Sequence, residues 1–420
     1  MSQNTRFAAL LIAGLFVSAP IAVAQDNSAA VIVEWNQKLQ ATIGATGGPL
    51  ATRWYATMHI AQFDAINSIE RKYTPFHTRV AASAGASTRA AAAQAAHDVL
   101  VTLLPANAAS YHDLLAAQLQ GIPPGLARQG SAVGKAAAQK ILEWRLNDGS
   151  APNGATYKPP AFTGIWQETG AAAGLTNVPT MLSFTLASNT QFLPRRFPEL
   201  DTAAYAEDYN EVRLIGADDS ATRTAEQTQT AKLFAAFQIT STNIFMMWNN
   251  VVRDMVISRH LTMIEAARLY AMTNAVMLDG LITTQTGKFI YALWRPVTAI
   301  NTSFDDLNAG TAPEANWAPL IGTPPYPSYP GNMACVGAAA AASLAMGLGT
   351  DAVHFSVTWT GANGNPDVTR HYMSFSQLAQ QEADSRIYGG IHFRFDNEVS
   401  QEMCPQVVEH AYATVMRPLQ

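Results

Sequence analysis

The chain has 420 residues, 48% of them hydrophobic and only 14% charged, with a formal net charge of −5. This length and apolar content suffice for one large core or two fused ones. The small acidic balance, without a basic run, argues against a face that neutralises a row of phosphates, so nucleic acid is not an expected partner.

Arg6 precedes an apolar run over 7–23, interrupted by Pro20, and the small residues Ala22 and Ala24 stand before Gln25 and Asp26. This is the pattern of an export signal; we expect residues 1–24 to be removed and the mature protein to be periplasmic or secreted. The competing reading, an uncleaved anchor, requires about 20 unbroken apolar residues. The longest later apolar stretch, 333–349, is mostly Ala and Gly. That suits a tightly packed helix better than a lipid-facing one, and no stable membrane span is expected in the mature chain.

Apolar periodicity predicts helices over 29–41, 50–70, 88–104 and 125–146, the last closed by Asn147, Asp148 and Gly149. Residues 151–200 shift to Gly, Pro, Ser, Thr and Asn, an irregular crossing that Phe162, Trp166, Phe184, Phe192 and Phe197 should tie to the core. Helices resume over 202–213, 222–237, 241–253 and 262–284. A Pro-rich loop over 311–330 leads into an Ala-rich helix from Met333, and a final helical pair covers 374–388 and 391–412. The best strand signal is 352–360. The expected organisation is a signal segment (1–24), an N-terminal helical region (25–200) and a C-terminal helical region (201–420). Together they imply an all-α fold of two packed helical bundles sharing one core. The two cysteines, Cys335 and Cys404, are too few for a disulfide scaffold or a Cys-type zinc site. They could pair in an oxidising compartment, but are expected as buried small apolar residues.

Three segments carry chemistry. Lys288 and Arg295 are seven residues apart, two helical turns, so their side chains can converge. Arg386 and His392 flank the pair Gly389-Gly390, which permits a sharp turn. Asp396 lies four residues beyond His392, placed to orient the imidazole and fix its tautomer. Between these segments, Pro324 to Pro330 run into Gly331 and Asn332 at a helix start, which can aim backbone N–H groups and the helix N-terminus at an anion.

In combination the segments resemble the vanadium-dependent haloperoxidases and type 2 phosphatidic acid phosphatases. That family's pattern is Lys, six residues, Arg-Pro; then Pro-Ser-Gly-His; then Ser-Arg, three residues, Gly, one residue, His, with Asp four positions later. The first and third blocks match at every defining position, over 288–296 and 385–396. The resemblance extends upstream through Asp64-Ala65-Ile66-Asn67 and the 211–227 region with Arg223-Thr224-Ala225-Glu226-Gln227. It points to the haloperoxidase-like branch.

The resemblance implies that Lys288, Arg295 and Arg386 donate to the oxygens of bound vanadate or phosphate, with Gly331 and Asn332 in the same cradle. His392 would be the axial vanadate ligand or, with phosphate, the nucleophile. In the middle block Gly331, Asn332 and Met333 replace Ser, Gly and His. Met333 cannot transfer a proton, and a lost general acid costs about 10²–10⁴-fold in rate. Tyr326, Cys335, His354, His371 and Glu382 lie in or between the relevant segments as substitutes. Three functions follow from the resemblance: oxidation of halide by peroxide, hydrolysis of a phosphate ester, or oxyanion binding with other or little chemistry.

Overall fold

A computed structural model describes residues 28–419 apart from 45, 46, 49, 236, 237 and 302–305. The expected signal segment lies outside the described residues.

The described chain forms thirteen α-helices and one two-stranded sheet. In the N-terminal part these are α1 (Ala30–Ile43), α2 (Ala51–Glu70), α3 (Thr88–Leu103), α4 (Ala108–Leu119) and α5 (Pro124–Arg145). After the irregular crossing come α6 (Ala203–Ile215), α7 (Ala225–Leu233), α8 (Ile244–Ser258), α9 (Met263–Tyr291), α10 (Pro296–Asn301) and α11 (Asn332–Leu348). The hairpin β1 (Phe355–Trp359) and β2 (Val368–Tyr372) precedes α12 (Phe375–Tyr388) and α13 (Arg394–Thr414). Sequence patterning overlooked α4, α10 and β2, and ended α9 seven residues early.

The long α9 is buried from Met263 to Lys288 with only short breaks, apolar around its circumference, as a central helix must be. Glu265 caps it by accepting the Thr262 N–H at 2.9 Å. α2 packs on one side of α9 and α11 on another, with α13 alongside. One apolar cluster runs from Ile32 and Trp35 through Phe63, Trp248 and Tyr270 to Leu344 and Val408, so the N- and C-terminal regions share a core. A second cluster, including Tyr205, Trp294, Trp317, Tyr329 and Phe393, lies where α6, α10 and the start of α13 meet.

The crossing segment is held by buried carboxylates as well as by aromatics. Asp279 of α9 accepts the N–H groups of Phe184 and Thr185, both at 2.7 Å. Of the five aromatics expected to tie it down, Trp166, Phe184 and Phe197 are buried and Phe192 packs on the core, but Phe162 is exposed. Upstream, Asp64 accepts three backbone N–H groups from Phe76, His77 and Thr78, a loop-ordering role.

Cys335 of α11 and Cys404 of α13 form a disulfide, their Cα atoms 5.4 Å apart. This corrects the expectation of two unpaired buried residues: α11 and α13 pack side by side against α9, and the two sulfurs meet over Gly280, which has no side chain to hold them apart. None of the described helices is long and apolar enough to cross a membrane.

Candidate functional site

The C-terminal end of α9 delivers the first two cations, though not by helical spacing. The helix stops at Tyr291, and Ala292 turns left-handed (φ 54°), so Arg295 lies beyond it. The chain reversal, rather than two helical turns, brings Arg295 back beside Lys288. Both are completely buried under the 324–330 loop. Lys288 Nζ donates to the carbonyls of Pro327 (3.0 Å) and Ser328, so it fastens the loop and acts on the site through its charge. Arg295 donates Nε to the Tyr326 carbonyl (2.8 Å) and Nη1 to the Ile391 carbonyl (2.7 Å). Its Nη2 is buried without an acceptor.

α12 presents Arg386 in its last turn, and Gly390 (φ 77°) makes the turn that returns His392 beside it. Arg386 Nη1 donates to the Phe234 carbonyl at 3.0 Å, while its Nε is buried without an acceptor. His392 precedes α13, which begins three residues later than expected at Arg394. The His392–Asp396 contact therefore comes from helix capping and not from one helical face. Asp396, third residue of α13, accepts the Phe393 N–H at 3.1 Å and the His392 Nδ1–H at 2.8 Å with the same oxygen, Oδ2. With the proton on Nδ1, Nε2 keeps its lone pair, and Arg295 Nη1 lies 3.1 Å from it.

Sequence reasoning missed Ser328, whose hydroxyl donates to Asp396 Oδ2 at 2.5 Å. It also missed Gln285, which accepts from Asn332 Nδ2 at 2.9 Å. Gln285 lies one turn before Lys288 on the same helix, a spacing that could have flagged it. Just beyond the site, Arg394 pairs with Glu211, Nε to Oε2 at 2.7 Å, fixing α13 to α6. Arg223 donates to the Ile215 carbonyl at 2.7 Å, and Thr224 with Gln227 caps α7, so this upstream stretch supports the fold.

At the start of α11, Gly331 spends its N–H on the Asp396 carbonyl at 2.8 Å and does not offer it to the cavity, contrary to expectation. A Cβ at 331 would stand 2.5 Å from Asn397 Oδ1, so the serine of the family pattern has no room here unless Asn397 moves. Asn332 and Met333 line the cavity, as do Arg386 and His392. The cavity holds about 620 Å³, and its remaining wall is largely apolar: Phe234, Ile244, Phe245, Ile321, Pro324 and Pro325. The hairpin braces that wall, since Trp359 packs edge-on against Phe234 at 5.3 Å.

Burial and three cations set the electrostatics. Burial lowers both guanidiniums to a pKa of about 10, so they stay charged at neutral pH. Burial pushes Lys288 well below its usual value, reinforced by Arg295. Burial, and then Arg295, Lys288 and Arg386, hold His392 well below the usual imidazole value, as a neutral ring. Burial raises Asp396 to about 6. The site thus carries excess buried positive charge, donor N–H atoms without acceptors, and an imidazole nitrogen whose lone pair faces the Arg295 guanidinium. Such a set is complementary to an anion with several oxygens.

Four of the five substitute proton donors are removed by the structure. Cys335 is in the disulfide, His354 is exposed, and His371 lies on β2 bonded across the hairpin to Ser356 at 2.8 Å. Glu382 is buried behind α11 against Gly337, bonded to Trp248 Nε1 at 2.8 Å. Tyr326 lines the cavity.

Residues 268–420 match the family model described as the VCPO second helical-bundle domain. No curated protein sequence matches the chain. Its fold is similar to that of the first bacterial vanadium-dependent iodoperoxidase, with TM-score 0.77 and 21% identity over 94% of this chain and 98% of that one. It is also similar to the holo form of a bacterial vanadium-dependent chloroperoxidase, with TM-score 0.69 and 17% identity over 88% of this chain and 92% of that one. The apo form gives TM-score 0.68 at 17% identity, over 86% and 92% of the two chains. The C-terminal part of the chain thus matches the VCPO helical-bundle model, and over nearly its whole length the chain shares the fold of these bacterial vanadium-dependent haloperoxidases.

Proposed function

We propose that the cavity binds vanadate, or the isosteric phosphate, and that the protein works as a haloperoxidase-like oxyanion enzyme. The observation that carries this reading is the pair of buried acceptorless donors, Arg295 Nη2 and Arg386 Nε, on two arginines of which the first also lies 3.1 Å from His392 Nε2 through Nη1 and the second lines the cavity with His392. Leaving a charged donor buried and unpaired costs several kcal/mol, which a bound anion would offset. In this arrangement Arg295 and Arg386 would hold the anion's oxygens, Lys288 would add charge from behind the loop, and His392 would offer its Nε2 to the bound anion. Asp396 and Ser328 hold the imidazole in the tautomer that ligation requires. Bound vanadate would supply peroxide activation for the two-electron oxidation of a halide.

A second use of the same pocket, hydrolysis of a phosphate monoester, is favoured by the apolar wall of Phe234, Ile244, Phe245 and Met333, which suits an organic group. One experiment separates the two: vanadate-loaded protein assayed with peroxide and bromide or iodide, beside vanadate-free protein assayed with aryl phosphates. Halide oxidation that requires vanadate supports the first use, and ester hydrolysis inhibited by vanadate supports the second. Neither activity, together with no oxyanion binding, would refute both.

A further inference from the structure

Group transfer from a phosphate ester is accelerated when the departing oxygen receives a proton, and the thioether at 333 has none to give. Among the described residues lining the cavity, Tyr326 carries the one hydroxyl. Its position is fixed from several sides. The carbonyl accepts Arg295 Nε at 2.8 Å, and the ring lies under Arg295 Cζ at 5.1 Å and Lys288 Nζ at 5.5 Å. Tyr326 and His392 line the same cavity, as does Arg386.

We propose that Tyr326 is the general acid of this site, donating its phenolic proton to the departing oxygen of a phosphate monoester with an apolar organic group. The proposal rests on the oxyanion reading above. In the first step His392 Nε2 forms a bond to phosphorus. The bond between phosphorus and the ester oxygen breaks, its electron pair stays on that oxygen, and the oxygen takes the Tyr326 proton. Water then attacks phosphorus, the phosphorus–nitrogen pair returns to His392, and one water proton restores the phenol. The net change is ester plus water to alcohol plus phosphate. The adjoining wall of Phe234, Ile244, Phe245 and Met333 receives the organic group.

The test compares phenyl phosphate, whose leaving group needs the proton, with p-nitrophenyl phosphate, whose leaving group departs readily as an anion. Tyr326→Phe keeps the ring over which the cations lie and removes only the hydroxyl. The expected result is a loss of roughly 10²-fold in kcat/KM on phenyl phosphate, less than about threefold on p-nitrophenyl phosphate, and unchanged phosphate affinity by calorimetry. Adding Met333→His to Tyr326→Phe should restore much of the phenyl phosphate activity by supplying another donor from the same wall. Equal losses on both esters, no loss on either, or a parent that binds phosphate but hydrolyses neither ester would overturn the assignment. A parent that binds neither phosphate nor vanadate would refute the oxyanion reading, and this proposal with it.

Discussion

The fold buries two pairs of arginines, and they are solved differently. Arg53 and Arg145 converge on the Asp148 carboxylate, at 2.6 Å and 2.9 Å from its Oδ2. Their other donors reach the carbonyls of Arg145, Ser183 and Leu182, and Arg145 also lies 4.0 Å over the Phe184 ring. That cluster is internally complete and holds α2, α5 and the crossing segment together. Arg295 and Arg386 are as deeply buried, yet among the described residues neither has a carboxylate within ion-pair distance, and each keeps a donor without an acceptor. A buried cation that the fold itself neutralises is part of the scaffold, whereas one left incomplete points to a ligand.

Removing the carboxylate from the first pair is the most damaging way to break the contrast. Asp148→Asn strands two buried guanidiniums and should cost about 3–5 kcal/mol in denaturant unfolding. Arg386→Met, which removes an already uncompensated charge, should stay within about 1 kcal/mol of the parent without ligand. Similar losses in the two variants would erase the distinction.

The next effect concerns the frame of the site. The disulfide closes a separation of 69 residues and ties α11, which carries Asn332 and Met333, to α13, whose start holds Asp396. Replacing both cysteines with alanine should cost about 4 kcal/mol on chain-entropy grounds. Unfolding midpoints with and without the replacement check this.

A smaller, pH-dependent effect distinguishes Glu382 from the anion-facing groups. Burial raises its pKa from 4.5 to about 8, against the opposing pull of the Trp248 hydrogen bond and then of Arg386. The folded state then holds a proton that the unfolded state has released, so this residue's contribution to stability falls as pH rises from about 4.5 to 8. Glu382→Gln, neutral throughout, should gain melting temperature relative to the parent as pH rises across that window. A pH-independent difference would contradict the buried-acid assignment.

Much of this was legible in the sequence, for identifiable reasons. Helix periodicity and the blocks around Lys288 and Arg386 marked the fold and the cationic groups, because local spacing and residue type suffice there. The convergence of Arg295 on Lys288 was foreseen for the wrong reason, since the left-handed turn at Ala292 is occupied by a residue without the usual turn preference. Ser328 and the Cys335–Cys404 pairing depend on how α13 docks beside α11 and the loop, which no local pattern encodes. β2, with Arg370 and His371 among its five residues, has too weak an alternation to register until it pairs with β1.

The most direct test of the incomplete arginine pair is calorimetric titration of the parent and Arg386→Met with phosphate and with vanadate. The account predicts one site in the parent for both anions, at millimolar affinity or tighter, and a loss of roughly 10-fold to 100-fold in the variant, as expected for a charged hydrogen-bond donor. No binding to the parent at millimolar concentration, or equal affinity in the two proteins, would contradict it.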